Sequence, residues 1–233
     1  RHTLITIAES DPKPLTYTAK VFHKTRYDAV AQIIRESVGT KIDVLVDVGC
    51  GYGVTREWLE KFGIQIGLYI GCDIDPAKLE PSLKAEKVLC DARNLPFRKC
   101  AAEASLMSEV LEHIKRPYLA FVELLRVSKN YCFVTFPEEK LKNILGFRYP
   151  EHISDISQTV LNSLARKNNY ILVSFKKLYF LFPPSVLDRL RIPFSQITAD
   201  ILLNLFKIVS KTPLRNLSLI KNELVAYFRV KKD

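Results

Sequence analysis

The stretch that most restricts the fold is Val44-Leu-Val-Asp-Val-Gly-Cys-Gly-Tyr-Gly53. A short continuous apolar run suits a strand buried on both faces, the habit of parallel sheets covered by helices. It leads straight into Gly49, Gly51 and Gly53, and then into Thr55–Phe62, which reads as a helix stopped by Gly63. Strand, glycine-rich turn and helix form one unit of an open α/β sheet, whose ligands sit beyond the carboxyl ends of the strands. A dinucleotide fingerprint would need a glycine at position 54, where Val54 stands. Asp47 precedes the first glycine by two residues. An acid aimed into such a loop suits an amino group better than a pyrophosphate, which wants backbone N–H donors and no nearby anion.

The same alternation continues along the chain. Strands are expected over Ile42–Val48, Gly67–Cys72, Lys87–Cys90, Ala104–Met107, Tyr131–Phe136, Ile171–Leu178 and Glu223–Val230. Helices are expected over Tyr27–Val38, Thr55–Phe62, Pro76–Lys84, a segment around Glu109–Ile114, Pro117–Val127 and Ser154–Lys167. This order predicts an α/β fold with a doubly wound, seven-stranded, mostly parallel sheet, as one domain over residues 1–233. Residues 1–40 are expected to form an N-terminal helical cap. Residues 179–222 are expected to form a helical insertion between the last two strands, where a short turn would suffice. Within it, Asp200, Asn204, Lys207 and Lys211 make one narrow polar stripe on an otherwise apolar helix. So wide an apolar face exceeds what one-sided packing needs. It is expected against a second helix or a homodimer partner, with a lid or an interfacial membrane helix as the sharper alternative.

Charge is unevenly placed. Residues 166–233 hold 13 of the 35 Lys and Arg but only 4 of the 25 acids, so +9 of the net charge of +10 belongs to the C-terminal third. That asymmetry points to a polyanionic partner, either an anionic membrane surface or RNA, unless it is only a solvated basic surface. The five cysteines form no CxxC pair and are odd in number, which predicts a reducing, cytoplasmic compartment with no disulfide framework. The longest run without a charge, Phe62–Cys72, is 11 residues. A membrane-spanning helix needs about 20.

Four successive strands each end in an acid: Asp47, then Asp73 in Gly71-Cys-Asp-Ile-Asp75, Asp91 in Cys90-Asp-Ala92, and Glu109 after Ser108. Any one of them suits a helix cap; four at one sheet edge suit a ligand. A carboxylate one βαβ unit after the first can accept both hydroxyls of a ribose. The motifs DVGCGYG at 47–53, GCDIDP at 71–76, CDARNLPF at 90–97, SEVLEHI at 108–114 and FVTFP at 133–137 resemble those of class I S-adenosylmethionine-dependent methyltransferases. The resemblance covers roughly residues 20–178 plus the final strand. It implies a Rossmann-like methyltransferase fold and S-adenosylmethionine as cofactor. Asp47, Gly49, Cys50, Gly51 and Gly53 would then form the loop around the methionine moiety. Asp73 would take the ribose hydroxyls and Ile74 would pack on the adenine. Asp91 would contact the adenine amino group with Ala92 beside it, and Ser108 would be a further cofactor contact.

The acceptor side is less constrained. Branches of this family that methylate amino groups carry a D/N-P-P-aromatic motif where this chain reads Ser108-Glu-Val-Leu111, which disfavours nitrogen. On a helix, Glu109, Glu112 and His113 would share one face, and His152 follows the fifth strand. Two carboxylates and two imidazoles suit a divalent metal such as Mg²⁺, Mn²⁺ or Zn²⁺. This pattern is similar to metal-assisted O-methyltransferases of quinone biosynthesis and to 2′-O-methyltransferases of small-RNA 3′ ends. Without a metal, His113, His152 or Glu109 is the candidate general base. The expected activity is methyl transfer to oxygen of a small-molecule or lipid-linked acceptor, with peripheral membrane association. RNA is the runner-up acceptor, and a non-catalytic cofactor-binding partner protein the third reading. An aromatic-basic cluster, Tyr17, Phe22, His23, Arg26 and Tyr27, lies before the first strand, where it could touch the acceptor.

Overall fold

The structure is a computed structural model of the 233-residue chain, and it describes residues 17–79, 85–138, 152–180 and 221–231. Seven strands form one sheet: β1 (Lys41–Val48), β2 (Gln65–Asp73), β3 (Glu86–Leu89), β4 (Ala102–Ser108), β5 (Ser128–Glu138), β6 (Tyr170–Phe180) and β7 (Lys221–Val230). Their spatial order is β3-β2-β1-β4-β5-β7-β6. The first five pair in parallel, and β7 runs antiparallel to both β5 and β6. The expected mostly parallel, doubly wound sheet is therefore present, with β7 inserted between β5 and β6.

The α-helices among the described residues are α1 (Tyr17–Ser37), α2 (Val54–Lys61), α3 (Pro117–Val127) and α4 (Gln158–Lys167). From Val44 to Val48, alternation along β1 splits the side chains between two cores. Val46 and Val48 join Cys72, Met107, Phe121 and Phe228 on the face covered by α3 and α4. Ile42 and Leu45 join Tyr69, Leu106, Ile34 and Trp58 on the face covered by α1 and α2. Burial on both sides is what a run such as Val44–Val48 demands.

Two expected helices differ. Of the expected helix Pro76–Lys84, residues 80–84 lie outside the described residues, and Pro76–Lys78 is a 3₁₀ turn where Asp75 acts as the cap and accepts from the Ala77 N–H at 3.0 Å. The segment around Glu109–Ile114 is only a 3₁₀ turn at Leu111–His113, because Glu109 itself takes a left-handed φ of 57°. The last helix starts at Gln158 with Ser157 as its cap; Ser154 instead donates its hydroxyl to the Ile114 carbonyl at 2.7 Å. The proposed insertion lies outside the described residues except for its ends in β6 and β7, and so do residues 1–16 of the N-terminal cap. No helix among the described residues is long and apolar enough to cross a membrane.

Phe121 of α3 is fully buried and meets Phe228 of β7 edge to face, with ring centroids 5.3 Å apart. Replacing such a ring by a methyl leaves a cavity as well as losing transfer energy. Phe121→Ala is expected to lower unfolding stability by about 3–5 kcal/mol, measured by urea titration.

Candidate functional site

The carboxyl ends of β1, β2, β3 and β4 open onto a cleft of about 550 Å³. Parallel pairing makes this edge: Asp47 sits opposite Gly71, Val48 lies between Cys72 and Met107, and Asp73 sits opposite Leu89. Acids far apart in sequence thereby end side by side.

The turn after β1 is fixed by backbone. The N–H groups of Gly49 and Cys50 both donate to the Cys72 carbonyl, at 2.7 and 3.0 Å. Gly49 has a φ of 73°, and a Cβ there would lie 2.3 Å from a methyl of Val110. Only glycine satisfies both conditions. Asp73 is nearly buried, and its two oxygens accept from the N–H groups of Gly51 at 3.0 Å and Asp75 at 2.9 Å. Ile74 is 69% exposed, an isoleucine left in water along the cleft wall and available as a platform for a flat ring. Asp91 accepts from the backbone N–H and guanidinium of Arg93, whose hydrogen bonds hold its carboxyl below the usual carboxylate range.

Of the residues singled out from sequence for the cofactor, Gly49, Asp73, Ile74, Asp91 and Ala92 line the cleft. Asp47, Cys50, Gly51, Gly53 and Ser108 are not on that wall. Asp47 is buried on the α1 face, where the Tyr69 hydroxyl donates to its Oδ2 at 2.5 Å. Burial raises its pKa from 3.8 to about 6, against the lowering effect of the Tyr69 and Thr55 hydroxyls. The Ser108 hydroxyl meets that of Thr135 at 3.0 Å.

At the far side of the cleft the structure brings together Glu112, His113 and His152, whose ligand-type atoms all lie within 4.8 Å of one another. The two imidazoles meet edge to face with centroids 4.9 Å apart, and His113 Nε2 is 3.9 Å from Glu112 Oε1. His152 is placed by backbone: the N–H groups of Ile153 and Ser154 donate to the Glu112 carbonyl at 2.9 and 3.1 Å. Glu112 is buried, and neither carboxylate oxygen has a hydrogen-bond partner among the described residues. Burial, and then the charge of Glu109, push its carboxyl well above the usual range.

Glu109 does not join that trio. The helix face expected to carry Glu109, Glu112 and His113 does not form, since left-handed backbone at Glu109 breaks the helical spacing. Its Oε1 accepts from the Thr135 hydroxyl at 3.0 Å, and its Oε2 lies 3.5 Å from Arg26 Nη1. Arg26 is itself buried on α1, donates to His23 Nδ1 at 2.7 Å and stacks over Tyr27. Thr135, Tyr69 and Arg93 were not singled out from the sequence. A phenol on the inward face of a buried strand was the available signal for Tyr69, since a buried tyrosine hydroxyl needs a partner.

Residues 46–135 match the family described as a methyltransferase domain. None of the curated proteins matches the chain. Among solved structures, magnesium protoporphyrin IX methyltransferase from Synechocystis PCC 6803, with bound SAH, is 12% identical with a TM-score of 0.62, covering 99% of this chain and 94% of its own. The [4+2]-cyclase SpnF is 17% identical with a TM-score of 0.58, covering 88% and 82%. Phosphoethanolamine N-methyltransferase 2 from Haemonchus contortus, in complex with S-adenosyl-L-methionine, is 17% identical with a TM-score of 0.54, covering 90% and 53%.

Two expected outcomes test the acids and the turn. Because the folded-state pKa of Asp47 is raised, stability from its protonated form is present below 3.8 and lost as pH rises through about 6. Above that pH its ionisation costs about 3 kcal/mol. Asp47→Asn is therefore expected to melt higher than wild type at pH 8, with the gap closing toward pH 4 in thermal scans. Gly49→Ala is expected to lose stability and to weaken S-adenosylhomocysteine binding at least ten-fold by calorimetry, as the Val110 clash forces the turn off the sheet edge.

Proposed function

We propose that the chain is a class I S-adenosylmethionine-dependent methyltransferase that transfers the methyl group to an oxygen of a small or lipid-linked acceptor, a reading supported by the match of residues 46–135 to a methyltransferase domain. The observation that carries this reading is the buried carboxylate of Glu112, donor-free among the described residues and facing two imidazoles. A buried carboxylate without a hydrogen-bond donor is costly unless a cation completes it. One carboxylate and two imidazoles fit a divalent metal such as Mg²⁺, Mn²⁺ or Zn²⁺.

On this reading Asp47 receives the cofactor's ammonium group, Asp73 the ribose hydroxyls, and Asp91 the adenine edge against Ile74. S-Adenosylmethionine supplies a methyl on a sulfonium, an activated donor that needs chiefly alignment with the acceptor. Glu112, His113 and His152 would hold the metal, which when bound lowers the pKa of an acceptor hydroxyl and fixes its orientation. An imidazole nitrogen of the pair not engaged by metal can accept the hydroxyl proton. Thr135 and Arg26 keep the Glu109 carboxylate turned along the cleft wall. Ile114 and the half-exposed Ile153 line the same side with Lys115, a surface suited to an apolar acceptor with an anionic group. The apolar and basic segment 179–222 supports a lipid-linked acceptor at an anionic membrane surface.

The test is calorimetric titration of Mn²⁺ or Mg²⁺ into wild type and Glu112→Gln. It is followed by methyl transfer from labelled cofactor to prenylated catechols and to short RNA 3′ ends. A metal heat lost in Glu112→Gln, with S-adenosylhomocysteine affinity within two-fold of wild type, is expected, together with labelling of the catechol. Absence of metal binding in wild type overturns metal assistance, and labelling of RNA alone overturns the acceptor class. Since the Glu112 pKa is raised, the neutral amide is also expected to stabilise the metal-free protein at pH 7 and above.

A further inference from the structure

Asp47 is the most enclosed acid at the sheet edge, and its surroundings are unusual for a residue meant to meet a cation. It is 1% exposed, lies off the cleft wall, and among the described residues its hydrogen-bond donors are the hydroxyls of Tyr69 and Thr55. The groups facing it come from every element packed around it. Tyr69 and Asp73 come from β2, Thr55 from α2, Tyr27 from α1 and Cys50 from the turn. Of these, only Tyr69 and Thr55 donate to the carboxylate, and Tyr69 makes the 2.5 Å bond. Asp73 opposes its ionisation, as does burial.

Tyr69 is built to stay a donor. Its ring is fully buried in the α1–α2 core, so the hydroxyl cannot swing away, and Arg56 stacks over the ring 5.9 Å from its centroid. Burial, and then the charge of Asp47, hold the phenol well above its ordinary range. The hydroxyl therefore remains protonated at any pH at which the protein functions. A bond from a neutral donor to a charged acceptor is worth more than one between neutral groups.

We propose that Tyr69, through this hydroxyl bond, is a positioning residue that keeps the Asp47 carboxylate aligned and charged for the ammonium group at the amino-acid end of the cofactor. The inference rests on the assignment of Asp47 to that ammonium. It concerns only the amino-acid end, since Asp73 and Asp91, which face the nucleoside, are organised independently by backbone N–H groups and Arg93.

The experiment compares S-adenosylhomocysteine, which carries the ammonium, with 5′-methylthioadenosine, which lacks it. Wild type, Tyr69→Phe and Asp47→Asn are titrated with each by calorimetry from pH 5.5 to 8, with thermal melting as a check on folding. Tyr69→Phe keeps the ring and its packing. It is expected to bind S-adenosylhomocysteine about two-fold more weakly near pH 7 and about eight-fold more weakly at pH 5.5, with the acidic midpoint of binding moved up by about one pH unit and the deficit vanishing toward pH 8. Binding of 5′-methylthioadenosine is expected to stay within two-fold. A loss of equal size at every pH, or shared by both ligands, would mean that Tyr69 only supports the core and overturns the proposal. So would unchanged S-adenosylhomocysteine binding in Tyr69→Phe while Asp47→Asn loses it. If Asp47→Asn binds S-adenosylhomocysteine as wild type does, the ammonium assignment itself falls.

Discussion

A single steric contact sets the geometry of this cleft: the Cα of Gly49 against the isopropyl group of Val110, with no room for a Cβ between them. It fixes the turn after β1 against the turn after β4, while the two N–H bonds to the Cys72 carbonyl fix it against β2. Three strand ends are thus locked to one another before any ligand arrives. The left-handed backbone at Gly49 costs little because the residue is glycine, whereas Glu109 takes a similar φ without that exemption. Its position is held by Thr135, which receives the Glu109 N–H on its backbone and side-chain oxygens and returns a hydroxyl bond to the carboxylate. Strain in a non-glycine residue at a cleft wall is commonly retained where geometry matters for function.

The acids around the cleft differ in how they are compensated. Asp73 is satisfied by two backbone N–H groups, Asp91 by Arg93, and Glu109 by Thr135 and Arg26. Asp47 has only hydroxyl donors, and Glu112 has no hydrogen-bond donor among the described residues. Both are buried and both have raised pKa values. These two carboxylates, neither of them on the cleft wall, would gain most from a cation. On the proposed reading an ammonium group meets the first and a divalent metal the second, so that stability given up in the empty protein is recovered on binding.

The sheet was legible because its signal is local. Continuous apolar runs mark doubly buried strands, and the glycine turn after Val48 announces the ligand edge, so all seven strand positions follow within a few residues of their true bounds. The antiparallel placement of β7 beside β5 is set by contacts more than 80 residues apart and leaves no local mark. At the site, residue types were legible and their grouping was not. The i, i+3, i+4 spacing of Glu109, Glu112 and His113 placed all three on one helix face. The left-handed φ at Glu109 removed that helix and sent its carboxylate to Arg26 and Thr135. His152 has no sequence link to Glu112, and it joins the cluster because the next two N–H groups dock on the Glu112 carbonyl. Arg26, from the cluster that could touch the acceptor, is buried against a carboxylate of the site itself.

The fold leaves the chemistry open, since the neighbours of similar TM-score include a cyclase as well as methyltransferases. What distinguishes one such chain from another must lie where the shared sheet edge ends and the connections diverge. Here that place is the turn after β4 together with residues 152–154, because the Glu112 carbonyl gathers both. Its two N–H donors come from the connection beyond β5, so the position of His152 depends on the main chain of the residue whose side chain it faces. A substitution at Glu112 that spares the backbone leaves this dock intact, whereas a shift of the 3₁₀ turn would move the carboxylate and both imidazoles as one body. On the proposed reading the acceptor side is held together by this dock, with Ile114, Lys115 and Ile153 on the wall beside it.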